Sequence, residues 1–191
     1  MMEISKVTCI RVGQFKYDTK RPKGKKYTTY KNGLVLSYDK NFPMELKSKP
    51  LAIVYFLSVD GKIYKIGQTH GASGIHGCLN FYAKAGMDNP GPNRFAINYL
   101  IREKMKKGKK VEVYFKYLDP VKVLVEGLTS STAENKVVNI DAKVMEEKCL
   151  DEYRVVEGRN PEWNFQENGT GIPDKIQQKY AQERIKIQAS K

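Results

Sequence analysis

The stretch VYFLSVDGKIYKIGQTHGASGIHGCLNFY, Val54 to Tyr82, opens as two strands around a turn and continues into a polar, glycine-rich run holding both histidines of the chain. Leu51–Ser58 and Lys62–Ile66 read as strands. Val59-Asp60-Gly61 between them fits a three-residue hairpin loop, a type I turn followed by Gly61 in the left-handed region. That register pairs Ser58 with Lys62 and Tyr55 with Lys65, and puts the phenol and the ammonium on one face within ~5 Å at Cβ. A two-residue Asp-Gly loop instead pairs Tyr55 with Ile66 and sends Lys65 to the opposite face. In the first register a cation beside Tyr55 favours its phenolate and makes it a better proton acceptor. An ordinary Tyr–Lys cross-strand pair is the plain alternative.

The rest of the chain bounds what such a site can serve. A length of 191 residues fits one domain with elaborations at its ends, and 40% hydrophobic with 10% aromatic residues is enough for a packed core. A net charge of +13 points to a polyanionic partner, nucleic acid being the commonest, against a merely solubilising lysine-rich surface. The three cysteines, Cys9, Cys78 and Cys149, are far apart and lack Cys-x-x-Cys spacing, which argues against a disulfide framework and a zinc site. There is no long apolar run and no signal-peptide pattern at the N-terminus. The expectation is therefore a soluble, cytoplasmic protein in a reducing compartment, without membrane contact.

Residues 4–12 suggest a short strand. The following segment sets Lys16, Lys20, Arg21, Lys23, Lys25, Lys26 and Lys31 among Phe15, Tyr17, Tyr27 and Tyr30. It reads either as a solvated loop or as a basic arm along a phosphate backbone. Pro92 or Asn93 opens a helix through Lys107, on which Arg94 and Arg102 add cations for nucleic acid, and Gly108 stops it. Residues 111–118 and 121–128 alternate as strands, with Asp119-Pro120 as a tight connection. Ser131 or Thr132 can cap a helix to about Tyr153, and a last helix starts at Asp174.

IVY (53–55), followed nine residues later by KIG (65–67), resembles the signature of the GIY-YIG nuclease superfamily. Tyr55 matches the tyrosine of the first tripeptide. Lys65 stands at the second tyrosine, as in the phage-type branch of the superfamily, and Gln68-Thr69 continues the run. The resemblance covers residues 50–165. It divides the chain into a basic N-terminal extension (1–49), a nuclease-like core (50–165) and a C-terminal tail with a helix (166–191). It implies an α+β fold with a small three-stranded antiparallel sheet flanked by helices.

The same resemblance implies an arginine on the helix after the second tripeptide, and His76 falls where that arginine is expected. It implies a metal-binding glutamate on a later helix, and Glu146, Cys149, Leu150 and Tyr153 fit that pattern. Glu146 lies along an apolar face with Ala142, whereas Glu147 points about 100° away and is the second choice. Pro161-Glu162-Trp163-Asn164 resembles the end of the family's domain, with Asn164 the residue carried over.

The function implied by this resemblance is that of a DNA endonuclease using one Mg²⁺ (or Mn²⁺) at Glu146. Tyr55 is its base, helped by Lys65, and Gln68 and His76 steady the phosphoryl charge. The compact size suggests a type II restriction enzyme acting on double-stranded DNA as a homodimer. A phage or homing-type nuclease and a catalytically silent nucleic-acid-binding module are the other readings.

Overall fold

A computed structural model of the chain describes residues 1–18, 33–70, 73–84, 91–125, 134–138 and 141–189. The expected phosphate-binding run Lys20, Arg21, Lys23, Lys25 and Lys26 lies outside them. The elements are β1 (Ile10–Asp18), β2 (Gly33–Tyr38), β3 (Ala52–Val59), β4 (Lys62–Thr69), α1 (Gly74–Lys84), α2 (Pro92–Lys106), β5 (Val111–Leu118), β6 (Val121–Val125), β7 (Glu134–Val138), α3 (Ala142–Glu157) and α4 (Asp174–Ala189). Among the described residues, no helix is long and apolar enough to cross a membrane.

The α+β class holds, but the sheet has five antiparallel strands, in the order β2-β1-β5-β3-β4, rather than three. The two extra strands come from the N-terminal segment. β1 pairs with the free side of β5, and β2 pairs outside β1. Phe15 of β1 and Leu34 of β2 are buried with the main core, which is why this margin joins the sheet.

β3 is buried along its whole length because helices cover both faces of the sheet. Ile53, Tyr55, Leu57 and Val59 pack with Ile75, Leu79 and Tyr82 of α1, Phe95, Ile97 and Ile101 of α2, and Ile176 of α4. Val54 and Phe56 pack on the other face with Ile63 and Ile66 of β4 and Leu150 and Tyr153 of α3. Such two-sided burial explains the unbroken apolar run of this strand.

The turn after β3 is the two-residue alternative. Asp60 and Gly61 have φ of 47° and 81°, both positive as a type I′ turn requires. Lys110 holds Asp60 there, since Asp60 N donates to Lys110 O (2.9 Å) and Asp60 Oδ1 accepts from Lys110 N (2.8 Å). A bulge then shifts the register: Ser58 faces Ile63, but Leu57 faces Lys65 and Tyr55 faces Gly67. Tyr55 and Lys65 therefore share a face, as diagonal neighbours rather than as a direct pair.

The region after β5 also departs from expectation. β6 does not continue as a partner of β5 but forms a separate two-stranded ribbon with β7. α3 starts only at Ala142, where Asp141 accepts from Lys143 N as the N-cap; strand β7 occupies the start of the longer helix expected from Ser131 or Thr132. The last helix starts at Asp174 as expected.

Candidate active site

Tyr55 projects from the middle of β3 toward α1 and is 3% exposed. Its hydroxyl lies 2.5 Å from that of Tyr82, and the Cys78 thiol also bonds to it. Cys78 and Tyr82 are four residues apart on α1 and so present one helix face. Burial pushes the Tyr55 pKa well above that of an ordinary phenol, and Tyr82 and Cys78 add to the rise. Burial likewise pushes the Cys78 thiol up to about 11. The resting site therefore holds neutral phenols and a neutral thiol, not the phenolate that a direct Tyr55–Lys65 pair would give.

Lys65 is drawn into the protein, and burial lowers its pKa while the nearby carboxylates of Glu167 and Glu146 oppose the fall. Glu146, on the second turn of α3, is near enough for its charge to act on Lys65. Burial raises the Glu146 pKa, the Lys65 charge works against that rise, and Glu167 works with it. Glu147, one position on, is exposed and faces Lys143 at 3.8 Å. The start of α3 is tied to the end of β4, because Ala142 N donates to His70 Nε2 (2.7 Å). This bond fixes the helix that carries Glu146. Gln68 lies opposite Val54, on the α3 face of the sheet, whereas Lys65 lies on the Tyr55 face.

A cavity of about 70 Å³ opens beside Lys65, walled by Tyr82, Arg94, Ile97, Trp163, Phe165 and Glu167 among others. Arg94 stands on the first turn of α2, exposed, with its charge felt by both Cys78 and Tyr82. The indole N–H of Trp163 is buried and, among the described residues, has no hydrogen-bond partner. Lys65 and Arg94 bring two cations to this cavity against the one carboxylate of Glu167, which makes a setting for an anion.

His76 is placed elsewhere. Asn80 Nδ2 donates to its Nε2 (2.6 Å), which leaves the Nδ1 proton to bond Tyr38 Oη of β2 (2.8 Å). It sits two residues before Cys78, about 200° around the helix. Arg102 is also turned inward: it is 6% exposed, its Nε donates to Asn98 Oδ1 (2.9 Å), and its guanidinium lies 5.9 Å from the Tyr17 ring. Asn164, fully buried, closes the outer edge of β4. It accepts from Ile66 N (2.9 Å) and donates to Ile66 O (2.8 Å), next to Trp163 N, which donates to Tyr64 O (2.8 Å).

Sequence reasoning thus missed Cys78, Tyr82, Trp163 and Glu167, and it gave Arg94 only a role in holding DNA. The four-residue spacing of Cys78 and Tyr82 was the available signal for the first two. Among the described residues, no three His, Cys, Asp or Glu side chains gather as a ready metal cage.

No protein-family model matches the chain, and no curated protein matches it. Among solved structures, it is similar to a mutant of bacteriophage T4 EndoII at 15% identity, over 86% of this chain and 99% of that one, with a TM-score of 0.49. It is also similar to restriction endonuclease HPY188I in complex with product DNA, at 15% identity, over 84% of each chain, with a TM-score of 0.40. At that identity neither assigns a role to a residue of this chain.

Proposed function

We propose that the chain is a metal-dependent endonuclease of the GIY-YIG type that hydrolyses phosphodiester bonds in double-stranded DNA. The observation that carries this reading is Lys65, drawn inward at a cavity that Arg94 and Tyr82 also line, with Tyr55 bonded to Tyr82 behind it and the Glu146 charge acting on Lys65. A lysine drawn into the protein and a half-buried carboxylate cost desolvation that packing alone does not offset.

Glu146 suits Mg²⁺ or Mn²⁺. Burial raises its pKa, so its charge gains from a divalent partner, and Mg²⁺ ordinarily takes only one or two protein carboxylates besides water and substrate phosphate. When bound, such a cation polarises the scissile phosphate and steadies the leaving oxygen. Arg94 holds the phosphoryl oxygens, a task for which its planar fork is better suited than an imidazole. Lys65 adds its charge on the face shared with Tyr55. Tyr55 acts as a base only as its phenolate, after its own hydroxyl proton has passed to solvent. The phenolate then takes the proton of the attacking water, and it needs the cation beside it because burial favours the neutral phenol. The restriction role and a homodimer on two-fold-symmetric DNA sites complete the reading.

The neutral state of Tyr55 favours a second reading, a nucleic-acid-binding module without catalysis. Incubating purified protein with supercoiled plasmid and Mg²⁺ separates the two. Discrete fragments that vanish with Tyr55→Phe, by ~10²-fold or more in rate at unchanged DNA affinity, support the restriction nuclease. A smear supports a nuclease without site preference. Binding without any cutting supports the module.

A further inference from the structure

Next to the Lys65–Arg94 cavity lies a second one of about 420 Å³, between the start of α2 and α4, lined by Pro92, Asn93, Ile172, Ile176, Gln177 and Tyr180. Asn93 lines both, so the two open side by side. Its volume falls in the range of small-molecule sites. Its walls combine three apolar side chains and one aromatic ring with two side-chain amides. That is the chemistry that takes a nucleobase: a π-face and aliphatic surface for the ring, and amides for its polar edge.

One of the two amides is already oriented. Gln177 Nε2 already donates to Ile172 O (2.6 Å), which fixes the amide and leaves Oε1 as an acceptor. An acceptor selects a base with an exocyclic amine. The floor is firm, since Ile176 is 4% exposed and the Tyr180 ring packs on Phe95 at 5.3 Å between centroids.

We propose that this cleft receives an unstacked, amine-bearing nucleobase of the nucleotide next to the phosphate held at Arg94. The proposal rests on the nuclease reading for the phosphate's place, and it gives α4 a role in substrate binding. Arg94 follows Asn93 directly, so a phosphate at one and a base at the other need only a single nucleotide to join them. Removing a base from the stack costs least in single strands, so single-stranded DNA is the probe of choice.

The test measures binding of a hexamer of deoxyadenylate, a hexamer of thymidylate and an all-abasic hexamer to the full chain without metal, so that cleavage plays no part. The three carry the same phosphates. The expected result is deoxyadenylate binding ~10-fold tighter than the abasic chain, with thymidylate in between. Tyr180→Ala should remove most of the gap between base and no base. Gln177→Leu, at an exposed position, should keep that gap but abolish the preference for adenine over thymine. Equal binding of all three hexamers overturns the proposal, as does a base preference that both variants leave intact. A protein that cuts plasmid but ignores the bases refutes the cleft alone. One that prefers adenine through Gln177 yet never cuts refutes the nuclease reading and leaves the cleft standing.

Discussion

Tyr55 lies directly across the β3–β4 pair from Gly67, and its phenol covers the space where a side chain at 67 would begin. A Cβ built at Gly67 runs into the Tyr55 hydroxyl and ring. Backbone freedom is not the reason for this glycine; close approach is. Gly67→Ala should therefore displace the Tyr55 ring from Tyr82 while leaving both strands formed. The expected outcome is a fall in cleavage of ~10²-fold in a folded protein, of the size that loss of a positioned acid–base group brings. Circular dichroism with a plasmid assay checks it, and an active Gly67→Ala would show that the ring's place does not matter.

Glu146 and Glu147 offer a paired experiment. Glu146→Gln should abolish Mg²⁺-dependent cutting, because it removes the half-buried carboxylate beside Lys65. Glu147→Gln should leave the rate within about twofold, since its partner is an exposed lysine and such pairs contribute little. The reverse pattern would transfer the role to Glu147, and no effect from either would remove α3 from the site.

Arg94 and His76 separate by what they touch. Arg94→Ala should lower the rate by ~10²-fold or more, as removal of one oxyanion-stabilising donor does, with partial recovery in Arg94→Lys. His76→Ala takes away contacts to Tyr38 and Asn80. Its expected effect is a lower melting temperature at a rate within a few-fold of wild type. Steady-state cleavage and thermal unfolding of the three variants decide between them, and a dead but fully stable His76→Ala would restore the histidine to the site.

The carboxylate pair around Lys65 carries a pH signature. A raised Glu146 pKa means that the carboxyl stays protonated to a higher pH than an ordinary glutamate, and a bound cation needs the carboxylate. Activity should thus rise with pH through that raised pKa. Glu167→Gln removes a charge that helps to raise it, so the acid limb of the rate profile should move to lower pH. The same change removes a carboxylate that props up the Lys65 pKa, so any alkaline limb due to Lys65 should move down as well. A profile that does not move would mean that the carboxyls are not coupled.

Asn164 tests the scaffold. Asn164→Ala leaves both polar groups of Ile66 without their side-chain partner in the interior, at a cost of about 1–3 kcal/mol for each unsatisfied group. Urea unfolding measures the loss. Because Asn164 holds the edge of β4, which carries Lys65, activity per folded molecule should fall too.

The parts of this fold legible in the sequence are those set by local chemistry. The hairpin residues, the helix from Pro92 and the helix from Asp174 declare themselves by turn, start and stop signals. The bulge at the β3–β4 turn does not, because Lys110 from a distant strand end selects the left-handed Asp60. The first extra strand, expected over residues 4–12, runs over Ile10–Asp18 after a 3-10 turn at Ile4–Lys6, and β2 was hidden because the lysines before it read as a solvated arm. Tyr55, Lys65 and Glu146 stand out through a resemblance of short motifs. The cations around them depend on tertiary placement: His76 on α1 turns to Tyr38 and Asn80, whereas Arg94 on α2 lines the cavity.

The stretch from Trp163 to Asn164 closes one margin of the five-stranded sheet with three hydrogen bonds to Tyr64 and Ile66. A strand so covered cannot recruit another, which protects β4 from edge-to-edge association. A second chain that adds a strand to this sheet has β2 to add to, at the margin farthest from Lys65.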